Sequence, residues 1–483
     1  MSFKIVVLWS DVVVIATLLM LIAYAWRIHG SPNLRATWMK VLRDRAAICA
    51  SVVLVLFFAV AVVDSLHFRR VLSQAAGASA DQAQAYGTRT ESLLDVLLAR
   101  LVAGRETSYS APLAMRGFTK DSVDVNGQIE RTYPRLKYGG EMLSDDTQWR
   151  GDVTRMALVG VGIGALVAML AASVIALAVA RKNRLRFGEA AHRLLQGRTD
   201  LPWRAVVVTV LAVCMVFGPL LALAQHYHVF GTDRTGNDVF YQALKSIRTA
   251  FVIGTLSTIA TLPLAVGLGI VSGYLRGWVD EVVQYLYTLL SSIPNVLLIA
   301  ACVLMVQVFL DKHPEFFETG AERSDLKIFL LCVILGLTGW ATLCRLVRGE
   351  TLKLRELDYV QAASAFGVGH VRIMMRHIAP NVMHLVLITT VLNFSDLILY
   401  EAVLTYVGVG VDPATSSFGS MINLARSEMS RDPVVWWSFV AAFGFMVTLV
   451  LAANLFADGV RDAFDPRARS MRPRVLSKFR VKA

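Results

Sequence analysis

Nine stretches of this chain are long and apolar enough to cross a lipid bilayer. They lie at approximately 5–26, 46–66, 156–180, 204–225, 249–273, 286–310, 327–347, 384–408 and 435–457. A hydrocarbon core about 30 Å thick takes roughly 20 apolar residues as helix. The expected fold is an all-α membrane protein, a polytopic bundle of about nine transmembrane helices. Composition agrees. Charged residues are 17% of the chain and hydrophobic residues 55%, where a soluble domain carries roughly 25% charged. Mean hydropathy is +0.55. These values exclude disorder, collagen, a disulfide-stapled scaffold and an enzyme on a single anchor. The first run is too long and too charge-poor at its start for a cleaved signal, and no small-residue cleavage site follows it. It is read as a retained helix. The five cysteines, Cys49, Cys214, Cys302, Cys332 and Cys344, lie in or beside apolar runs without metal spacing, and read as small hydrophobes.

The net charge of +12 has two explanations, nucleic acid or basic loops held on the cytoplasmic side. No basic stretch is interleaved with stacking aromatics, so no nucleic-acid partner is expected. Four basic segments instead follow the first, third, seventh and ninth runs. They hold Arg27 to Arg45, Arg181 to Arg198, Arg348 to Arg376, and Arg461 to Lys482. All four fall on one side if the N-terminus starts outside and the C-terminus ends in the cytoplasm.

Two regions lie off the membrane. Residues 67–155 form an extracytoplasmic insert, polar except for a stretch with Leu93, Leu94, Leu97, Leu98 and Leu101 on one helical face. Residues 348–383 form an inner loop, long for a connection between spans. In it Leu357, Val360, Ala363 and Phe366 recur at helical spacing, and Ala362 and Ala363 keep the surface low. Gly367 follows at the left-handed C-cap position. A second short helix, 370–377, carries Ile373 and Met374 beside Arg372 and Arg376. Pro380 is expected to stop it, and Asn381 to begin the approach to the eighth span. The product is a helix–glycine–helix elbow. Periodicity alone fits two uses, a rigid knob rooted in two spans or an interfacial helix on lipid headgroups.

The stretch Asp358-Tyr359-Val360-Gln361-Ala362-Ala363-Ser364-Ala365-Phe366-Gly367, ending at Ile378-Ala379-Pro380-Asn381, resembles the cytoplasmic coupling loop of ATP-binding-cassette (ABC) importer permeases. The spacing matches from Ala362 through Gly367 to Ile378 and Pro380, with Gln361 in place of the usual acid. Three more stretches resemble the peptide and nickel branch, second-subunit type. They are Gly231-Thr232-Asp233 with Gly236-Asn237-Asp238, where Asn237 replaces the usual Arg; Glu401-Ala402 through Ser417-Phe418-Gly419-Ser420-Met421; and Asn454-Leu455 through Asp458 to Pro466. The resemblance covers roughly 200–467. It divides the chain into two extra helices at 1–66, the insert at 67–155, a third extra helix and basic loop at 156–200, a six-span permease core at 201–467 and a basic tail at 468–483.

The resemblance implies a multi-pass protein of the bacterial inner membrane that forms half of a pore for di- or oligopeptides, with nickel or a peptide-like antibiotic as other cargo. Its partners would be a second permease in a heterodimer, two cytoplasmic ATPase subunits, an extracytoplasmic substrate-binding protein, membrane lipid and the peptide. Tyr359, Gln361, Ala362, Ala363, Phe366, Gly367, Arg372 and Pro380 would engage an ATPase. No cofactor is expected on this chain, since the partners bind ATP. It has no G-x-x-x-x-G-K-[ST] loop, no H-E-x-x-H and no serine elbow, so no enzyme activity is expected.

Intramembrane carboxylates cost roughly 2.5–3.5 kcal/mol at a helix centre. Asp396 and Glu401 are candidates for the pore wall or its gate, where Glu401 would meet a peptide's positive end; pairing with another helix or reaching outer water is the other reading. Asp11 and Asp64 are expected to reach outer water. Gly231, Asp233, Gly236 and Asp238 on the outer side read as turn and cap chemistry or as ligand contacts. Pro294 either kinks the sixth span or starts a helix. Two other functions compete. One is a proton-coupled secondary transporter using Asp396 and Glu401, which leaves the elbow unexplained. The other is a non-transporting sensor or scaffold that binds an outer ligand on the insert.

Overall fold

A computed structural model describes residues 3–71, 87, 90–125, 128–143, 145–317, 319–413 and 415–464. The expected tail at 468–483 and the motif end Asp465-Pro466 lie outside the described residues.

The chain opens with strand β1 (Phe3–Ile5), then helices α1 (Trp9–Gly30), α2 (Pro32–Val41) and α3 (Arg45–Asp64). The insert holds β2 (His67–Arg70), β3 (Glu91–Ser92), α4 (Leu93–Leu97), α5 (Ala99–Ala103), β4 (Asp121–Val125) and β5 (Gln128–Thr132). β1, β2 and β3 form one antiparallel sheet in that order, and β4 pairs with β5 as a hairpin. Next come α6 (Trp149–Asn183), α7 (Phe187–Gln196), α8 (Trp203–Ala224), α9 (Val239–Leu275), α10 (Gly277–Ser292), α11 (Asn295–Lys312) and α12 (Gly320–Arg355). The chain continues through α13 (Asp358–Ala365), α14 (His370–Ile373), α15 (Ala379–Val407), α16 (Phe418–Glu428) and α17 (Trp437–Phe464). Among the described residues, nine helices have the length and composition of membrane spans, one for each apolar run. Side chains mark where several begin. Asp44 accepts from the Ala47 amide at α3, Asp238 from Tyr241 at α9 and Thr319 from Glu322 at α12. Each satisfies an amide that the first helical turn leaves without a partner.

Helices α9 and α12 form the central pair, brought close by small residues. A side chain at Gly269 would strike Val347, and one at Gly273 would strike Thr351. In lipid, packing and close backbone approach replace the hydrophobic drive of water, and small residues supply that approach. The α6–α8 hairpin uses the same device, with Gly160 and Gly164 set against Gly218 and the Cys214 carbonyl.

The extra N-terminal helices are integral to the bundle. α3 packs against α17, α9 and α8, and its Phe57 and Ala61 share one buried cluster with Phe240, Ile247 and Leu449. Leu94 and Leu101 of the insert belong to the same cluster.

Four expectations need correction. The leucine stretch is two short helices broken at Leu98, and Leu93 and Leu97 face outward. The sixth run is interrupted at Ile293-Pro294: α10 stops there and α11 starts at Asn295, because the residue before proline favours extended backbone. Asp11 and Asp64 do not reach water. Both are buried; Asp11 pairs with Arg248 Nη2 at 2.6 Å and His67 Nδ1 at 2.9 Å. Asp64 accepts from Ser92 Oγ at 2.6 Å and faces Lys245 Nζ at 3.7 Å. Pro380 does not stop a helix. A wide π turn at Met374–Ile378 carries α14 into α15, with Pro380 in the first turn of α15. The wide turn makes room for the proline ring, which in a regular turn would strike the carbonyl four residues before it.

Candidate functional site

Two sites lie at opposite ends of α9. One is the elbow beside Tyr274 and Leu275. The other is the turn that leads into the Asp238 cap.

At the elbow, α13 has a fixed inner side and a free outer side. Val360 is 2% exposed and packs with Tyr274, Val347, Ile373, Ile378 and Val382. Ala363 packs partly against that cluster. Tyr359, Gln361, Ala362 and Arg372 are exposed, and Phe366 stands 88% exposed just past the end of α13. Phe366 therefore leaves the buried stripe that its spacing suggests, because the helix ends one residue earlier. The reversal is made by Gly367, at φ +74°. Its amide donates to the Ser364 carbonyl at 3.0 Å, and the Val368 amide to Ala363 at 3.1 Å. A Cβ on Gly367 would meet nothing within 4 Å, so the requirement is for the left-handed conformation, not for space.

Polar contacts brace the elbow from behind. Tyr274 Oη lies 3.1 Å from His370 Nδ1, and the Arg355 guanidinium donates to the Tyr274 carbonyl at 2.7 Å. Gln361 Nε2 donates to the Glu356 carbonyl at 3.3 Å. Asn381 Nδ2 donates to Tyr359 Oη at 3.1 Å and to the His377 carbonyl at 2.6 Å, tying α13 to the start of α15. A cavity of about 530 Å³ opens behind α13 between Tyr274, Arg355, Gln361 and His370.

At the other end, the outer motif is a pair of turns under the insert. Asp233 Oδ1 accepts the amides of Thr235 and Asn237 at 2.8 and 2.9 Å, and Oδ2 accepts from Gln242 Nε2 at 2.5 Å. Asp238 Oδ1 caps α9 through the Tyr241 amide at 3.0 Å. Its Oδ2 meets His228 Nδ1 at 2.7 Å. Gly231 and Gly236 have φ of +67° and +78°. The backbone of insert residues 105–118 rests directly on them: a Cβ on Gly236 would land on the Glu106 carbonyl, and one on Gly231 on the Ser110 carbonyl. Thr232 Oγ1 accepts the Ser110 amide at 2.7 Å, and Trp437 Nε1 donates to the Thr232 carbonyl at 3.0 Å. These four motif residues do turn and cap chemistry here.

His228 and Glu106 were not visible as partners in the sequence. Both are buried, and His228 Nε2 lies 3.6 Å from Glu106 Oε1. Burial alone would push the imidazole down, but the bond to Asp238 and the Glu106 carboxylate overcome it and lift it to about 9. Glu106 is itself held below its ordinary value. Burial opposes this and is outweighed by His228 and the amides of Tyr138 and Lys137. A histidine just before the motif was the available signal. Its acid lies far back in the insert.

The two span carboxylates are not together. Glu401 is 2% exposed, accepts from Thr405 Oγ1 at 2.8 Å and lies against Gly419. Thr405 Oγ1 in turn accepts the Val411 amide at 3.2 Å. Glu401 thus braces the loop between α15 and α16 from inside the chain, away from an open wall. Asp396 is exposed near the middle of α15. No group of three or more His, Cys, Asp or Glu among the described residues could hold a metal ion.

Residues 265–470 match the family described as "Binding-protein-dependent transport system inner membrane component". The oligopeptide transport system permease protein OppC of Mycobacterium tuberculosis is 31% identical over 302 residues, 59% of this chain and 97% of that protein. OppC of Bacillus subtilis is 30% identical over 242 residues, 50% of this chain and 72% of its own length. A putative peptide permease protein of Brucella suis is 31% identical over 242 residues, covering 50% and 74%. The chain belongs to this family. It is the permease subunit of an ABC importer, a multi-pass protein of the inner membrane, and the match takes in the elbow, Asp396 and Glu401.

Proposed function

We propose that this permease carries peptides inward as one of two membrane subunits, and that α13 receives the stroke of a cytoplasmic ATPase. The observation that carries the coupling role is the two-sided elbow. Val360 anchors it to α9, α12 and α15, while Ala362 and Phe366 face out at a height set by small residues. A short helix with a low, exposed face suits a groove in a partner. Tyr359, Gln361, Ala363, Gly367, Arg372 and Pro380 shape or flank that face. The relatives named for oligopeptide and peptide transport support the substrate class.

In this reading the elbow end is cytoplasmic and the insert faces outward, toward a substrate-binding protein. Nucleotide-driven closure of the ATPases tilts α9, α12 and α15 as packed rods and switches the pathway from outside to inside. Asp396 lies on that pathway or against the second permease. A partnerless carboxylate halfway along a span avoids lipid, and among the described residues it has no hydrogen-bond or ion-pair partner. ATP stays on the partner subunits, and this chain performs no catalysis.

The test is uptake of a labelled peptide into proteoliposomes holding this chain, a second permease, two ATPases and the binding protein. Uptake that requires ATP and stops when Phe366 is replaced by Asp supports the reading. ATP-independent uptake driven by a pH gradient would replace it with proton-coupled transport through Asp396.

A further inference from the structure

Between α6 and α8 the chain makes a tight cationic corner that the transport role does not use. Residues 181–204 hold seven cations, Arg181, Lys182, Arg184, Arg186, Arg193, Arg198 and Arg204, against two carboxylates, Glu189 and Asp200. All seven cations are exposed, and none has an ion-pair partner among the described residues.

The corner is built, not loose. Arg184 takes a left-handed conformation, φ +52°, at the end of α6, and Gly197, φ +67°, ends α7. Ala190 of α7 is buried against Val179, Ala180 and Trp203, and Leu194 is buried one turn further on. With its apolar side spent on the hairpin, α7 holds Arg193 outward, and the flanking turns hold the other cations around it. Two apolar side chains stand among them, Phe187 at 48% and Leu195 at 69% exposure.

We infer that this corner binds the headgroups of anionic phospholipids. The surface continues the face by which the hairpin meets lipid: Val174 and Leu177, on the last turns of α6, are 65% and 47% exposed. α6 packs on α8 and α7, which leaves its other side to the bilayer. Cations just beyond the ends of two spans lie at phosphate depth, where each Lys or Arg raises the preference for an anionic surface roughly fivefold. Phe187 and Leu195 supply pegs between acyl chains. An acidic protein surface would need the charges without the pegs or the continuity with the lipid-facing helix.

The test uses the full chain in nanodiscs that contain phosphatidylglycerol and phosphatidylcholine in equal amounts. Lipid retained after gentle detergent extraction is counted by native mass spectrometry. The expected result is at least a fivefold excess of phosphatidylglycerol, falling to less than twofold in a variant with Arg184, Arg186, Arg193 and Arg198 changed to Gln. The same four changed to Lys should keep the excess. Raising salt to 1 M should reduce it in the unaltered chain, a readout that needs no variant to fold. Equal retention of the two lipids by the unaltered chain would overturn the inference. So would an excess untouched by the four Gln changes.

Discussion

The backbone amide of Glu106 donates to the carbonyl of Gly236 at 3.0 Å, across a contact too close to admit a side chain on the glycine. Replacing Gly236 by Val would set a β-branched residue at φ +78°, against roughly 1–2 kcal/mol of backbone preference, and drive its Cβ into the Glu106 carbonyl. The strap at 105–118 should lift. Hydrogen exchange of its amides is expected to speed up at least tenfold while exchange in α12 stays unchanged. Equal protection in both would show that the strap is held from elsewhere.

The same contact carries a pH dependence. His228 is raised to about 9 from an ordinary 6.5, so its stabilisation is complete below about pH 6.5 and lost as pH climbs through about 9. Glu106 is lowered from 4.5, so its share is present above about pH 4.5 and lost as pH falls through the lowered value. Strap protection, corrected for intrinsic exchange rates, should therefore be greatest between about pH 4.5 and 6.5 and weaken toward pH 10. His228→Gln should flatten the alkaline limb. A limb that survives this change would assign the dependence to another group.

At the other end of α9, Gly367→Val places a β-branched residue at φ +74° where no neighbour obstructs it. The cost is conformational, again roughly 1–2 kcal/mol, and falls on the α13–α14 turn alone. The chain should insert and melt nearly as before, while peptide uptake drops at least tenfold and ATPase co-purification weakens. Undiminished uptake would remove α13 from the coupling path.

Thr405→Val and Asp396→Asn should separate structure from transport. The first leaves the Val411 amide and Glu401 without their shared hydroxyl. An intramolecular hydrogen bond contributes about 0.5–1.5 kcal/mol, so losing two at one hydroxyl should lower the melting temperature in detergent by a few degrees. The second removes a charge from an exposed face and should leave melting unchanged while uptake falls. The opposite pattern would place Asp396 in the fold and free Glu401 for substrate.

Much of this was legible from periodicity. Each of the nine apolar runs holds a span-length helix, the sixth of them shortened at Pro294, because length and hydropathy largely decide a span. Gly367 was readable because a left-handed residue at a helix end has few alternatives to glycine. The elbow's inner anchor, Val360, followed from spacing; the outward Phe366 did not, since one residue of helix length decides its side. What spacing could not reveal were pairings between distant segments. Asp11 and Arg248 are 237 residues apart, and each alone reads as a charge near a span end seeking water. Glu106 and His228 were hidden for the same reason. The break at Pro294 was signalled by its residue type, yet hydropathy ran smoothly through it.

The place of α3 sets a limit on how this permease can be shortened. Phe57 and Ala61 fill a furrow walled by α9 and α17. A version trimmed to the six C-terminal spans would open that furrow to lipid tails along much of its depth. Keeping such a shortened version closed would require repacking the α9 and α17 walls of that furrow.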